Sequence, residues 1–82
     1  MIKIKFEKEI NKAVAYDSNT KIGECAFIEE GKYWNIFHTE VSDLYKGQGI
    51  AKRLVEEIIK NAKKYNKELV ADCSYAKRII GK

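Results

Sequence analysis

The stretch from Val41 to Val55 constrains the fold most, because a β-type pattern ends in it and a helical pattern begins in it. Between the two patterns lies a short loop that contains Gly47 and Gly49. Glycine lets a backbone turn sharply and approach a ligand closely. The first amides of a helix have no partners within the helix and lie at the positive end of its dipole. A strand, a glycine loop and a helix in this order can therefore present free N–H groups to an anion.

The two most familiar phosphate-binding fingerprints are absent from this stretch. No Gly-Lys-Ser or Gly-Lys-Thr follows the loop, so the P-loop pattern is not met. No third glycine stands at the offset that the dinucleotide fingerprint requires. A lone pair of glycines is equally compatible with a turn that binds nothing, so the loop alone leaves anion binding open.

The residues before the loop form short β-type segments joined by turns. Ile2, Ile4 and Phe6 alternate with charged residues, which is the period of a half-buried strand. Further strands are predicted over residues 13–16, 22–29 and 33–41. Their short connections favour an antiparallel meander.

The fourth predicted strand has apolar residues on both faces. Strict alternation gives two sets, with Tyr33, Phe37 and Val41 on one face and Trp34, Ile36, His38 and Glu40 on the other. We therefore expect a central strand that is covered on both sides.

After the loop the period becomes helical, from residue 48 to about residue 65. Ile50, Leu54 and Ile58 recur on one face and charged residues occupy the opposite face, so we expect this helix to dock on the sheet. A fifth strand over residues 69–73 would lie parallel to the fourth through a right-handed crossover. Residues 75–80 form a short helical tail. The predicted fold is α+β: a mostly antiparallel sheet of about five strands, with one main helix between strands four and five and a short C-terminal helix.

The bulk properties limit the function classes. The 82 residues predict one domain over 1–82, and the net charge of +4 suits anionic partners. Basic residues are interleaved with acidic ones, which argues against a nucleic-acid arm. The chain shows neither a secretory signal nor an apolar run that could span a membrane, so we expect a cytoplasmic protein with no membrane partner.

The two cysteines, Cys25 and Cys73, are far apart in sequence. In a reducing compartment they are expected to be free thiols. Two scattered cysteines and one histidine do not make a zinc site, and we predict no metal. Cys25 lies in the middle of a strand and is interpreted as structural.

Residues 46–51, Lys-Gly-Gln-Gly-Ile-Ala, resemble the acetyl-CoA pyrophosphate loop of the GNAT N-acetyltransferase superfamily, whose pattern is Gln/Arg-x-x-Gly-x-Gly/Ala. Gly49 and Ala51 match, whereas Lys46 stands where Gln or Arg is usual. The chain is most similar to a minimal subgroup that lacks the N-terminal helices of full-size members. That subgroup keeps a His-Thr-Glu-Val strand, here residues 38–41, the glycine loop, and a cysteine after the next strand, here Cys73. The resemblance covers residues 38–80 well.

The resemblance implies that acetyl-CoA is the cofactor and that an acetyl group passes to an amine, either a small molecule or a protein. Strands four and five would splay, and the backbone of Val41 would face the pantetheine arm. Lys46 and Lys52 would be charge partners for the phosphates. The pyrophosphate would lie on the amides of Gly47, Gln48, Gly49, Ile50 and Ala51.

Three residues are candidates for the chemistry. His38 is the only histidine and can take a proton near neutral pH, although a hydrogen-bonded sheet histidine is an equally open interpretation. Glu40 could orient His38 or act as the base itself, or it could be a solvated carboxylate. Cys73 as a thiolate could accept an acetyl group, and the minimal subgroup pairs such a cysteine with a histidine at the position of His38. A small buried thiol is the alternative.

One position departs from the superfamily pattern. Full-size members have a tyrosine about a turn into the final helix, where this chain has Ile79 and Ile80, and Tyr75 comes earlier.

Two functions other than acetyl transfer stay open. A CoA-binding module without catalysis is the first alternative. A basic nucleic-acid-binding domain is the second, although its aromatic residues Tyr33, Trp34 and Phe37 are expected in the core and no nucleic acid is expected as a partner. We expect a monomer or a weak homodimer.

Overall fold

The computed structural model describes residues 1–80, and Gly81 and Lys82 lie outside the described residues. The strands are β1 (Ile2–Glu7), β2 (Lys12–Asp17), β3 (Thr20–Glu30), β4 (Tyr33–Val41) and β5 (Glu68–Ala71). The helices are α1 (Ile50–Lys64) and α2 (Ser74–Ile80), with short 3-10 turns at Lys8–Ile10 and Asp43–Tyr45. The predicted α+β fold, with its main helix between strands four and five, is confirmed. No helix among the described residues is long and apolar enough to cross a bilayer.

The five strands form one sheet in the order β1-β2-β3-β4-β5. The first four strands pair antiparallel, because each connection is too short for a crossover. β5 pairs parallel to β4, because α1 carries the chain back along the sheet. The meander and the parallel fifth strand therefore follow the prediction.

The core lies between one face of the sheet and α1. Leu54, Val55 and Ile58 of α1 are fully buried, as is Trp34 of β4, whose ring stacks on Phe27 with centroids 4.3 Å apart. Buried residues of both helices belong to this one cluster. Because neither helix covers the other side, that side of the sheet is open in residues 1–80.

The expectation that β4 is covered on both sides is wrong. Four large apolar residues on the opposite side of β3, β4 and β5 are 40–47% exposed: Ile28, Tyr33, Phe37 and Val70. We call this side the open face. Of the aromatic residues that were expected in the core, only Trp34 is buried there.

A β-bulge in β4 reverses the direction of the side chains that follow it. Phe27 pairs with Ile36 and Ala26 pairs with His38, so Phe37 is an extra residue without a partner in β3. Past the bulge, Thr39 faces the core side. The expectation that His38 and Glu40 share a face with Trp34 and Ile36 is therefore wrong, because one extra residue shifts the alternation by one. His38 and Glu40 lie on the open face, and Val41 packs against the core.

β4 and β5 separate halfway along β4. Their pairing ends at Ile36 and Ala71, and the amides of Asp72 and Cys73 both donate to the Ile36 carbonyl, at 2.8 and 3.2 Å. The fifth strand is therefore shorter than the predicted 69–73. β4 continues to Val41 without a neighbour on that side, so its edge over residues 37–41 faces a gap.

The segment between β4 and α1 is anchored to β2 through Asp17. The Tyr45 hydroxyl donates to Asp17 Oδ2 at 2.5 Å, and the Met1 ammonium contacts Oδ1 at 3.0 Å. The Tyr45 hydrogen bond, with help from the ammonium, holds the pKa of the Asp17 carboxyl below its usual range. Because the pKa of Asp17 is lower in the folded protein than in the unfolded chain, its carboxylate stabilises the fold at pH values above the ordinary pKa of an aspartate. This contribution is lost as the pH falls through the folded-state pKa.

Replacing Tyr45 by phenylalanine should therefore reduce the acid sensitivity of the fold. The variant should melt below the wild type at pH 7, and the difference between the two proteins should shrink below about pH 4, where Asp17 becomes protonated. Thermal melts at several pH values measure this. Tyr33→Phe, which removes the hydroxyl of an exposed tyrosine, is the control. A Tyr45→Phe deficit of the same size at every pH would contradict the assignment.

Candidate functional site

A pocket of about 550 Å³ lies where β4 ends and α1 begins. Six of the eight residues predicted to bind the cofactor line it: Val41, Lys46, Gly47, Gly49, Ile50 and Ala51. The two others, Gln48 and Lys52, are exposed and do not line it. The lining also includes Thr39, Glu40, Tyr45 and Tyr75. The pocket therefore joins the glycine loop to the unpaired edge of β4.

The two loop glycines have left-handed backbones, with φ of 84° at Gly47 and 77° at Gly49. This conformation is costly for residues with a Cβ, which explains the glycines. Gly49 is the N-cap residue, and its carbonyl accepts the first intrahelical bond, from the Arg53 amide, at 3.1 Å. The amides of residues 50–52 precede that bond and have no acceptor within the helix. Within the described chain no side chain caps α1, so these donors remain available.

The charge around the loop is mainly cationic. Lys52 and Arg53 lie in the first turn of α1, which contains no acidic residue. Lys46 is 64% exposed and its Nζ lies 3.1 Å from Asp43 Oδ1. This ion pair joins two exposed side chains and is worth little, so an incoming anion can compete for the ammonium.

His38 and Glu40 contact each other on the open face. His38 Nε2 lies 3.2 Å from Glu40 Oε1 and 3.4 Å from Glu24 Oε2. Lys21 and Lys12 both bind the other oxygen of Glu24, and the Lys21 hydrogen bond is the main cause that lowers the Glu24 pKa. His38 therefore lies between two carboxylates that can orient its ring.

The three side chains could in principle hold a metal ion. Glu24, His38 and Glu40 offer ligand atoms within 4.8 Å of one another. Two lysines already pair with the Glu24 carboxylate, and a cation would have to displace them. Ion pairing accounts for the cluster without a metal.

Cys73 lies in the bend between β5 and α2. The Lys77 amide donates to its carbonyl at 2.9 Å, so Cys73 caps α2. Its thiol lies 3.6 Å from Thr39 Oγ1. Burial opposes ionisation, but hydrogen bonding with the Ala76 amide, the Thr39 side chain and the Tyr75 amide outweighs it and lowers the pKa of the Cys73 thiol.

Cys25 also contacts the Thr39 hydroxyl, but its burial and its thiol pKa differ from those of Cys73. Thr39 Oγ1 donates to Cys25 Sγ at 3.5 Å. Cys25 is completely buried, and burial raises its thiol pKa to about 11. A thiol of this kind is mostly protonated at neutral pH and behaves as a small apolar side chain.

The two thiols should react at different rates. Cys73 is partly exposed with a lowered pKa and Cys25 is buried with a raised one, so iodoacetamide should label Cys73 at least tenfold faster at pH 7. Peptide mapping after brief labelling measures both sites. Thr39→Val should slow labelling of Cys73, because it removes the hydroxyl whose hydrogen bonding with Cys73 lowers the pKa of that thiol. Equal labelling of both cysteines in folded protein would contradict the assignment.

Sequence reasoning did not assign three residues that the structure brings to the site. Tyr75 lines the pocket, whereas Ile79 and Ile80, which stand at the superfamily's tyrosine position, pack against the core. Thr39 connects the two cysteines, and Glu24 contacts His38. The only sequence signal for Tyr75 is its position two residues after Cys73, at the start of the helical tail.

Comparison with known proteins gives one family. The family model described as GCN5-related N-acetyl-transferase matches residues 9–82. A GCN5-like candidate N-acetyltransferase from Staphylococcus aureus, solved in solution by NMR, is 32% identical with a TM-score of 0.72, and the match covers 96% of this chain and 78% of that one. A search of curated proteins finds no significant match.

More distant solved structures share the fold. PaiA N-acetyltransferase from Thermoplasma acidophilum, solved in complex with coenzyme A, is 21% identical with a TM-score of 0.65 over 68% of this chain and 35% of that one. IAA acetyltransferase from Bacillus cereus is 20% identical with a TM-score of 0.67 over 87% of this chain and 63% of that one. The family match spans most of the sequence and the Staphylococcus relative is similar over most of both chains. This chain therefore belongs to the GCN5-related N-acetyltransferase family.

Proposed function

We propose that the protein binds acetyl-CoA in the pocket and transfers the acetyl group to an amine. The observation that carries this proposal is the pocket itself, which connects unpartnered helix amides to an unpaired strand edge. The pyrophosphate would accept hydrogen bonds from the amides of residues 47–51, with Lys46 nearby. The amide-bearing pantetheine arm would bond to the free edge of β4 near Val41. Coenzyme A bound to PaiA, a distant member of the family, supports the choice of ligand.

The transfer needs a base for the amine and an acid for the leaving thiolate. The amine nitrogen attacks the thioester carbonyl carbon, the C–S bond breaks, and the amine proton passes to a protein base. His38 or Glu40 would take that proton from the open face, beside the gap between β4 and β5. The Tyr75 hydroxyl is the candidate donor to the leaving sulfur, because Tyr75 lines the pocket.

A route through Cys73 is a second form of the same reaction. The Cys73 thiolate would first attack the thioester carbonyl and release CoA, and the amine would then attack the acetylated cysteine. Its lowered pKa and its bond to Thr39 support this route. This route predicts that the protein gains the mass of one acetyl group from acetyl-CoA before any amine is added.

A CoA-binding module without catalysis is the second candidate function. It is favoured by the observation that neither His38 nor Cys73 lines the pocket. Turnover separates the two functions.

The test combines binding with turnover. CoA should raise the melting temperature of the wild type, and acetyl-CoA with a panel of primary amines should give amine-dependent release of free thiol. Mass spectrometry should find the acetyl group on the amine. Stabilisation by CoA without thiol release for any amine would favour the binding module. Failure of millimolar CoA to change the melting curve would overturn both functions.

A further inference from the structure

The open face carries an apolar strip bordered by carboxylates. At one end Tyr33 lies between Glu30 and Glu68, its register neighbours in β3 and β5. Two residues further along, Ile28 and Val70 stand on either side of Asn35. Phe37 continues the strip at the bulge and is 47% exposed.

The strip leads to the candidate base. Its far end is the cluster of His38, Glu40 and Glu24, where β4 loses its contact with β5. Asp72 also borders the strip and accepts a hydrogen bond from Asn35 at 3.0 Å. A ligand bound along the strip would therefore reach the gap between β4 and β5, where the proposed thioester would be accessible.

The charge of the strip is opposite to that of the whole chain. The protein carries a net charge of +4, yet the open face of β3, β4 and β5 presents four carboxylates, Glu24, Glu30, Glu40 and Glu68, and Asp72 adds a fifth just after β5. Among residues 1–80, the lysines that form ion pairs with these carboxylates are Lys12 and Lys21, and both bind the same oxygen of Glu24. At the opposite end Lys67 is held by the Gly31 carbonyl at 3.0 Å. The carboxylates with which no lysine of the described chain pairs, Glu30, Glu40, Glu68 and Asp72, favour a cationic occupant over an anionic one.

We propose that this strip is the docking site for an extended, lysine-bearing segment of an acceptor polypeptide, which presents one lysine amine at His38 and Glu40. The proposal rests on the acetyltransferase function proposed above and names its substrate class. From Tyr33 to Glu40 the strand spans roughly 23 Å at about 3.3 Å per residue, which is longer than a single small amine. Lysine side chains can lay their methylenes on Tyr33 and Phe37 and place their ammonium groups at the carboxylates.

Direct binding tests the docking site without any acetyl transfer. The probe is a fluorescein-labelled decapeptide of alternating lysine and leucine, followed by anisotropy, and the same peptide with glutamate for lysine is the charge control. The lysine peptide should bind and the glutamate peptide should not. Unlabelled spermidine should compete at least tenfold less well than unlabelled lysine peptide. Equal competition by spermidine would overturn the polypeptide assignment in favour of a small polyamine.

Two charge-reversal variants locate the binding. Glu30→Lys with Glu68→Lys reverses the charge at the strip, and Glu9→Lys with Glu56→Lys changes the net charge equally at exposed positions outside it. Peptide affinity should fall at least tenfold in the first variant and less than threefold in the second. Phe37→Ser should also weaken binding, because it removes an apolar anchor. Equal loss in both double variants would overturn the strip as the site.

The same proteins separate this proposal from the function on which it rests. Stabilisation by CoA should be unchanged in the strip variant, which also verifies that it folds. Intact CoA stabilisation without binding of the lysine peptide to the wild type would overturn the docking proposal alone. Loss of CoA stabilisation in the wild type would overturn the proposed function, whatever the peptide does.

Discussion

Gly49→Glu should abolish the stabilisation of the protein by CoA. Gly49 caps α1 with φ of 77° and its carbonyl begins the helical hydrogen bonds, so a side chain there adds backbone strain of about 1–2 kcal/mol. A carboxylate at the same point repels the pyrophosphate from the helix amides. A ligand at a hundredfold excess over its Kd stabilises the wild type by about 2.7 kcal/mol, and the variant should lose nearly all of this.

The chain offers a matched control for this substitution. Gly31, in the turn between β3 and β4, also has a left-handed backbone, with φ of 62°, and a Cβ at this position would meet only open space. Gly31→Glu therefore adds the same charge and a similar strain far from the pocket. It should keep the full stabilisation by CoA. Equal loss in both variants would mean that the effect is general charge or instability and not the loop.

His38→Ala should lower acetyl transfer by roughly a hundredfold to ten-thousandfold, the usual effect of removing a general base. His38 lies on the open face and does not line the pocket, so CoA binding should be nearly unchanged. The measurements are the rate of thiol release with a lysine peptide and the melting temperature with and without CoA. The variant should therefore transfer acetyl groups more slowly while its CoA binding stays nearly unchanged.

Two companion variants identify the base. Glu40→Gln keeps the size of the side chain, and if Glu40 only orients His38 its effect should be smaller than that of His38→Ala. Cys73→Ala should remove any acetylated protein intermediate, whereas Cys25→Ala should leave it. A well-folded His38→Ala protein with wild-type turnover would exclude His38 and assign the proton transfer to Glu40.

The secondary structure was predictable because each element has a clear period. The alternation of Ile2, Ile4 and Phe6 and the helical spacing of Leu54 and Ile58 appear directly in the structure. The glycine loop was predictable because Gly47 and Gly49 stand where the strand pattern ends and the helical pattern begins. Local pattern was therefore sufficient for the order of elements, whereas the residues expected around the pocket came from the resemblance of residues 46–51 to the superfamily's loop.

The face on which the candidate base lies was not predictable in the same way. Phe37 is an ordinary strand residue in type, and nothing in its neighbours marks it as the bulge. One unmarked insertion moves His38 and Glu40 to the other side of the sheet. Phe37 is exposed because neither helix covers the open face, and the side of the sheet that the helices cover is a property of the whole fold.

The contacts between distant side chains were equally hidden. Thr39 connects Cys25 with Cys73 only because β3 and the bend after β5 both lie beside β4. Glu24 meets His38 through the pairing of β3 with β4. Such contacts depend on strand register, which the sequence does not state residue by residue.

The most direct test of the proposed cofactor site is an NMR titration of ¹⁵N-labelled protein with CoA. We expect the largest amide shifts at residues 47–52, where the loop and the first helix amides would meet the pyrophosphate, and along the free edge of β4 over residues 37–41. Gly49→Glu should remove both sets. Saturable shifts confined to other surfaces, or no shifts at millimolar CoA, would contradict the proposed site.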